Sequence, residues 1–280
     1  KKINYVIPAV LGILLVGFFY IIFFFNILFG RDIPPIDDSD LWLSKIEIPK
    51  KENAFYLLSQ VEEKIIWLEE ERELFEKIVK GEKWDAELAK KLIEENEKVF
   101  NYFEEAVKLP YFQIPELQDP KTVDFSVPLP GLGGLRVMAR LNVIKAHYLF
   151  IESRQKEALD SIIKTIKIGQ MIEDTPRPLL ITYLVGVAIK EIGLQGLRIM
   201  IPSLTLSPEV LKDYVVQLEQ FKANEEGLIK GMKMEYIAFT NTKSKIIDGA
   251  FVGKLPKEEL GKLGMGETSF EIKAATKLNY

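Results

Sequence analysis

The 280-residue chain contains no cysteine and one histidine, His147. Without thiols there is no disulfide, no thiolate nucleophile and no cysteine-ligated zinc or iron–sulfur centre. As a metal ligand His147 lacks an HExxH or ExxH motif, and as the base of a Ser–His–Asp triad it lacks a GxSxG elbow. We therefore expect no metal, no cofactor and no catalytic set, and we interpret His147 as a partly buried structural residue.

Long blocks of one charge sign are also missing, because acidic runs such as Glu69 to Glu71 are interleaved with lysine and arginine. The chain has 37 Lys and Arg residues against 41 Asp and Glu residues, and the two signs alternate along the predicted helices as on solvated helix faces. Residues 31–280 hold 35 of the basic and all 41 acidic residues, a net charge of −6. Because a nucleic-acid-binding surface needs a basic footprint, this balance speaks against a nucleic-acid partner.

Charge is absent altogether from residues 6–25, which read VIPAVLGILLVGFFYIIFFF. Twenty residues at about 1.5 Å per residue match the roughly 30 Å hydrocarbon core of a bilayer. A secretory signal peptide would have a shorter apolar stretch and a small-residue cleavage site, which the following residues do not offer. The sequence predicts a transmembrane anchor within residues 1–30 that contacts the lipid bilayer through residues 6–25.

The flanks of the apolar run predict its orientation. Lys1 and Lys2 precede it, whereas Arg31 follows it in a segment rich in aspartate. Because cytoplasmic flanks are enriched in Lys and Arg, this favours a cytoplasmic N-terminus and a main domain outside the cytoplasm, anchored in the plasma (inner) membrane. A later apolar run at 178–189 is only twelve residues long, so it predicts a buried core helix and a single-pass protein.

Prolines predict where regular structure is interrupted. Three of them fall in residues 31–52, which predict an extended tether between anchor and domain. Apolar residues then recur at three-to-four spacing over 53–79, with Asn53 as N-cap, and over 85–107. This spacing predicts two helices joined as a hairpin.

Five prolines and three glycines exclude a continuous helix over residues 110–134 and predict a long loop. No run alternates between apolar and polar residues, so residues 53–248 are predicted to form an all-helical domain. A Gly- and Lys-rich tail, 249–280, is expected to be loosely ordered. The remaining helices are predicted near residues 135–153, 156–173, 178–200 and 208–247, the last with a break near Asn224 or Gly227.

Residues 136–173 resemble a tetratricopeptide-type helical hairpin. Ala146 and Ala158 lie twelve residues apart, and the string QKEALD opens the second helix. Small residues at these places let paired helices approach closely, so the resemblance implies an α–α stacking architecture and, by association, a protein-interaction surface. Asn142 stands where the motif has an aromatic residue, and Thr165 and Gln170 stand where it has a late alanine and a terminal proline.

A second copy at the usual offset would place its small residues at Leu180 and Ile192, so the repeat is irregular. The fold class predicted is therefore all-α: a transmembrane helix followed by an irregular stack of antiparallel hairpins, a TPR-like α–α superhelix. The layout of anchor, tether and hairpins is also similar to uncharacterised membrane-anchored helical proteins of bacteria. That likeness carries no activity with it.

Four residues are candidates for a pocket. A glycine-rich turn before a helix could cradle an anion with help from Arg136 or Arg140, although neither GxGxxG nor GxxxxGK is present. Arg136, Arg140 and Arg177 adjoin apolar stretches, which leaves buried salt bridges to Glu152, Asp160 or Glu191 open. The pair of Arg140 and Glu191 is the first to inspect. The candidate set is Arg136, Arg140, His147 and Glu191.

These features favour a membrane-anchored extracytoplasmic scaffold or protein-interaction module whose partner is another protein. An alternative from a different class is an enzyme or small-ligand-binding protein with a site near residues 110–134 and Arg136 or Arg140. Convergence of the four candidate residues on one pocket would favour that alternative. A third hypothesis, a helical domain lying on the bilayer, is opposed by the net negative charge.

Overall fold

The structure is a computed structural model that describes residues 37–66 and 72–247. The predicted anchor within residues 1–30 and the predicted tail 249–280 lie outside the described residues. Within the described part, no helix combines the length and apolar character that a membrane crossing needs. Residues 41–241 form one compact unit, and the second unit, residues 1–40 and 242–280, is described only at 37–40 and 242–247.

The prediction of an all-α fold is confirmed, since the described residues form helices and no β-strand. An isolated β-bridge pairs Asn53 with Tyr111. The α-helices are α1 (Phe55–Leu58), α2 (Arg72–Val79), α3 (Ala86–Glu95), α4 (Glu97–Ala106), α5 (Leu132–Ile151), α6 (Gln155–Glu173), α7 (Leu180–Met200), α8 (Pro208–Leu218) and α9 (Glu225–Ile247).

The single helix predicted over 53–79 is wrong. α1 is one turn long, the chain leaves helical geometry by Ile65 and Ile66, and α2 begins only at Arg72. The Asn96 side chain supplies the backbone of Ile66 with hydrogen bonds that a helix would otherwise supply. Asn96 Oδ1 accepts from the Ile66 N–H at 2.9 Å, and Asn96 Nδ2 donates to the Ile66 carbonyl at 3.2 Å. A side chain distant in sequence therefore competes with the local helix.

Asn96 also divides the helix predicted over 85–107. The predicted start near residue 85 is confirmed: Asp85 caps α3, since its Oδ1 accepts from the Leu88 N–H at 3.0 Å. Asn96 then leaves helical geometry, with φ −101° and ψ 22°, and separates α3 from α4. These helices do not form the expected hairpin with α2. Instead, α2, α3 and α4 all pack on α5.

From residue 132 onward the predicted helices are confirmed, with ends shifted by up to three residues. α5, α6 and α7 form consecutive antiparallel pairs and are the most extensively packed helices of the unit. The break expected near Asn224 is also confirmed, because Asn224 Oδ1 accepts from the Gly227 N–H at 2.7 Å and so starts α9. This three-helix arrangement carries the surfaces considered below.

α6 and α7 cross at a pair of glycines. A Cβ on Gly169 would lie 2.7 Å from Lys190 N and 2.8 Å from Gly186 O, and a Cβ on Gly186 would lie 2.7 Å from Glu173 N. Either methyl group would therefore meet backbone as well as side-chain atoms, and the backbone cannot move aside. The backbone contact at this crossing requires glycine on both helices.

The predicted loop at 110–134 is packed against the helices. It includes short 3₁₀ turns at Pro115–Leu117 and Pro120–Thr122. Gly131, with φ +79°, ends the loop and starts α5. The loop contributes four fully buried apolar side chains to the core: Phe112, Ile114, Leu117 and Val123.

The second half of the segment predicted as a tether, residues 31–52, is docked on this loop. Ile46 N–H donates to the Gln118 carbonyl at 3.0 Å, and Ile48 N–H donates to Gln118 Oε1 at 3.2 Å. Arg177, after α6, donates from Nε and Nη2 to the Ser44 carbonyl at 2.8 and 2.6 Å. The extended chain is therefore held to the domain from Ser44 onward.

Candidate functional site

The four residues predicted for a pocket lie in different places. Arg140 Nη1 contacts Glu76 Oε1 of α2 at 2.8 Å. Glu191 Oε1 lies 3.2 Å from Arg198 Nη1 on the exposed face of α7. Arg136 is exposed and His147 is buried. The Arg140–Glu191 pair is not formed, because Arg140 faces α2 whereas Glu191 faces solvent.

The other ion pairs left open by the sequence are replaced by hydrogen bonds to neutral groups. Arg177 donates to backbone carbonyls, as described above, and Asp160 Oδ1 accepts from the Tyr214 hydroxyl at 2.7 Å. Glu152 is exposed. Among the described residues, no three His, Asp or Glu side chains are placed to hold a metal ion.

His147 lines a cavity of about 170 Å³. Its Nε2 lies 3.4 Å from the Gly196 carbonyl oxygen, and the Trp84 ring packs against it edge-to-face at a centroid distance of 6.3 Å. Because the imidazole is removed from water, desolvation lowers the pKa of His147 below its usual value. The cavity lining consists of Ile78, Gly81, Lys83, Trp84, His147, Phe150, Ile151, Ile199 and Met200.

Four segments converge to form this cavity. They are the end of α2, the turn before α3, the last turns of α5 and the end of α7. Gly81, with φ +70°, terminates α2, and a Cβ there would lie 2.9 Å from Ile199 Cδ1. Because Gly81 has no side chain, the Ile199 side chain can pack against this turn and close one side of the cavity.

A wider cleft of about 610 Å³ lies near α1. Most of its lining residues are polar and they carry both charge signs, Lys50, Lys51 and Glu105 among them. The Lys50 ammonium lies 4.9 Å from the centroid of the Tyr56 ring. The buried Asn53 also borders it, but its amide is engaged by Gln113 at 2.7 Å. This mixed lining selects no ligand class.

α7 and α9 expose apolar side chains to solvent. The run at 178–189 does form a helix, but the prediction that it is buried is wrong over one face. On α9, Leu228, Met232 and Phe239 recur at spacings of four and seven, which places them on one side of the helix, and Ile229 (54% exposed) lies on an adjoining side. We call the set the α7–α9 surface: Ile181 (47% exposed), Leu184 (48%), Val187 (38%), Leu228 (37%), Met232 (61%) and Phe239 (57%).

The two helices of this surface touch each other. Leu180 N–H, at the start of α7, donates to Glu235 Oε1 of α9 at 3.1 Å. A Cβ on Gly231 would lie 3.5 Å from Leu180 Cα. The contact therefore joins the N-terminal end of α7 to the middle of α9, with the Glu235 carboxylate at the contact itself, and both helices carry exposed apolar residues.

Sequence reasoning missed the cavity at His147 and the α7–α9 surface for physical reasons. Trp84 and Ile199 carry no catalytic signal, and they meet His147 only because three helices and a turn converge. In α7, apolar residues surround the first half of the helix, so periodicity does not show which face is left uncovered. The spacing of Ile181, Leu184 and Val187 was the available signal, but it is equally typical of a buried face.

Comparison of the chain with family models, curated proteins and solved structures finds no match. The tetratricopeptide resemblance thus rests on the residues quoted above. Of these, Ala146 and Ala158 are fully buried in one apolar cluster that links α5, α6 and α7. The function of the protein has to be argued from its cavity and its exposed helix faces.

Proposed function

We propose that this chain is a helical protein-binding module, displayed on a membrane by residues 6–25, and that a partner protein docks on the α7–α9 surface. The observation that carries the proposal is the exposure of six large apolar side chains on two helices in contact. Such side chains lose favourable burial energy when they stay in water, at roughly 25 cal/mol per Å². Contiguous exposed apolar surface is typical of interaction sites.

The composition of the α7–α9 surface supports a protein partner. Its centre is aliphatic, aromatic and methionine side chains, which are enriched or tolerated at the cores of protein interfaces. The same helices also carry charge, since Glu191 and Arg198 pair on the exposed face of α7 and Glu235 lies where the two helices touch. Polar groups of this kind are typical of interface rims. We propose that the partner presents a complementary apolar helix face.

The architectural part of the proposal is that α5 and α6 act as one tetratricopeptide-type hairpin in an irregular stack. The complete burial of Ala146 and Ala158 supports it. In such stacks each helix pair covers its neighbour, and a terminal face that stays in water is polar. The exposed sides of α7 and α9 are apolar instead, which supports a partner covering them.

The docking proposal is tested by crosslinking and mass spectrometry on intact membranes that contain the full chain. A Leu184→Glu/Met232→Glu variant is expected to lose most protein crosslinks that the unaltered chain forms, because two carboxylates would have to be buried in the interface. The matched control is Val216→Glu on α8, where the valine is also half exposed. If the unaltered chain, the double variant and Val216→Glu all form the same protein crosslinks, the proposal is overturned.

The membrane part is tested separately. Full-length chain is expected to remain with the membrane pellet after alkaline carbonate extraction, whereas residues 31–280 alone are expected in the supernatant. Protease added to intact spheroplasts, in which the outer side of the plasma membrane is accessible, should digest the main domain if the N-terminus is cytoplasmic. Extraction of the full chain by carbonate would contradict anchoring.

The alternative site at residues 110–134 draws no support from the observed contacts. The loop is packed against the core, Arg140 is paired with Glu76, and Arg136 is exposed. An anion bound there would have to displace Glu76 or rely on a solvated arginine. The protein-binding proposal does not require either change.

A further inference from the structure

We propose that the cavity at His147 is a binding site for a small aromatic monocarboxylate, separate from the protein-docking surface. The inference does not depend on the proposed function. It rests on the size of the cavity, on the chemistry of its walls and on the single cation at its rim.

The size of the cavity fits one ring. At about 170 Å³ it is close to the roughly 150 Å³ apolar cavity known to take up benzene in another protein. Ligand sites in proteins are typically concave, largely apolar and built by several elements, with a few polar groups that fix orientation. The cavity has each of these properties, because four segments form it and most of its walls are carbon.

The walls favour an aromatic ring. Trp84, His147 and Phe150 all border the cavity, and Trp84 and His147 already stack edge-to-face at 67° between ring planes. Aromatic groups prefer such edge-to-face or offset contacts, so a third ring extends the cluster favourably. The aliphatic residues Ile78, Ile151 and Ile199 complete the enclosure, and Ile151 is 55% exposed at the rim.

The charge at the rim favours an anion. Lys83 borders the cavity, and none of its lining residues is acidic. A carboxylate attached to a ring inside the cavity would reach solvent beside this ammonium group. A ligand with a cationic substituent would meet Lys83 without a compensating carboxylate, so like-charge repulsion disfavours it.

The unique histidine provides a direct readout. In the full chain, labelled with ¹³C-histidine and held in lipid nanodiscs, the imidazole of His147 gives one ring resonance set. Phenylacetate is expected to shift this resonance saturably, whereas phenethylamine, which has the same ring and opposite charge, is expected to bind more weakly. Acetate, which lacks the ring, should cause no shift.

Two lysine variants test the charge. Lys83→Gln should weaken phenylacetate binding about two- to fivefold, the effect of losing a solvent-screened ion pair. Lys80→Gln removes the same charge from an exposed residue outside the cavity lining and should leave binding unchanged. No saturable shift with phenylacetate would overturn the site. Equal binding of phenethylamine, or no effect of Lys83→Gln, would overturn the carboxylate assignment.

Discussion

Asn142 on α5 donates a hydrogen bond from Nδ2 to Thr165 Oγ1 on α6 at 2.6 Å. Both side chains are fully buried. Asn142 also donates to the Ser161 carbonyl at 2.8 Å and accepts from Ser161 Oγ at 3.0 Å. Asn142 and Thr165 are two of the positions at which residues 136–173 depart from the tetratricopeptide pattern. Because each supplies a hydrogen-bond partner for the other, the two polar side chains can be buried together.

A double-mutant cycle tests this compensation. Asn142→Leu and Thr165→Ala are each expected to lower the free energy of unfolding by about 1–3 kcal/mol, because each leaves a buried partner short of a hydrogen bond. The double variant should lose less than the sum of the two, with a coupling of at least about 0.5 kcal/mol. Urea unfolding of the compact unit, residues 41–241, measures all three variants. Additive losses would show that the two residues act independently.

The helices after residue 132 could be predicted because their signals are local. Long apolar periodicity is bounded there by Gly131, Pro208 and Asn224, each of which ends or starts a helix by its own chemistry. The region before residue 107 could not be predicted in the same way. There the Asn96 side chain pairs with the backbone of Ile66, thirty residues earlier, and no local pattern records such a competitor.

The candidate site was less accessible to sequence reasoning than the fold. Arg140 was correctly placed beside apolar residues, but its partner, Glu76, lies in a helix whose start was not predicted. His147 was interpreted as partly buried and is 6% exposed, and its neighbours come from distant segments. Single-sequence patterns describe one helix face at a time, whereas a cavity depends on how several helices cross.

Substitution of the crossing glycines should be strongly destabilising. Gly169→Ala and Gly186→Ala would each place a methyl group within 3 Å of backbone atoms of the facing helix. We expect each to lower the free energy of unfolding by about 1–3 kcal/mol or more, since backbone cannot move aside as a side chain can. Chemical denaturation provides the measurement.

Gly133→Ala is the matched control for this prediction. Gly133 is also helical, but a Cβ there would meet only Glu62 Oε1, the end of a side chain, at 3.3 Å. Because alanine favours helix by up to about 1 kcal/mol over glycine, this variant should be neutral or stabilising. A similar loss for Gly133→Ala would contradict the prediction, since a Cβ at Gly133 approaches no backbone and helix propensity alone favours alanine. The glycines at 186, 193 and 196 share one face of α7, a signal visible in the sequence.

Arg177 is expected to hold the extended segment from Ser44 to Ile48. Arg177→Ala removes the two hydrogen bonds to the Ser44 carbonyl and should free this segment locally without unfolding the helices. Limited trypsin digestion should then cleave after Lys45 several-fold faster than in the unaltered protein. The control is Arg198→Ala, whose exposed guanidinium contacts Glu191 on the same helix. An unchanged cleavage rate at Lys45 would show that Gln118 alone retains the segment.

The final prediction concerns the buried ion pair that joins α6 and α7. Glu173 Oε2 and Lys190 Nζ are 2.8 Å apart, with side chains only 2% and 11% exposed. Lys190→Met should lower the free energy of unfolding at neutral pH by about 3–5 kcal/mol, because it leaves a carboxylate buried without its cation. Desolvation already raises the pKa of Glu173 above its usual value, and removal of the lysine raises that pKa further.

The loss caused by Lys190→Met should therefore depend on pH in one direction. Below the unfolded-state pKa of about 4.5, Glu173 is protonated in both states and the variant should be least impaired. As the pH rises through the elevated pKa of folded Glu173, the unfolded state releases its proton first and the stability of the variant falls. Adding Glu173→Gln should remove this slope and restore much of the stability, because no buried charge remains. Urea unfolding between pH 4 and pH 8 measures the free energy of unfolding of both variants. If the deficit of Lys190→Met is the same at every pH, lost packing of the lysine side chain, and not the buried charge, explains the deficit.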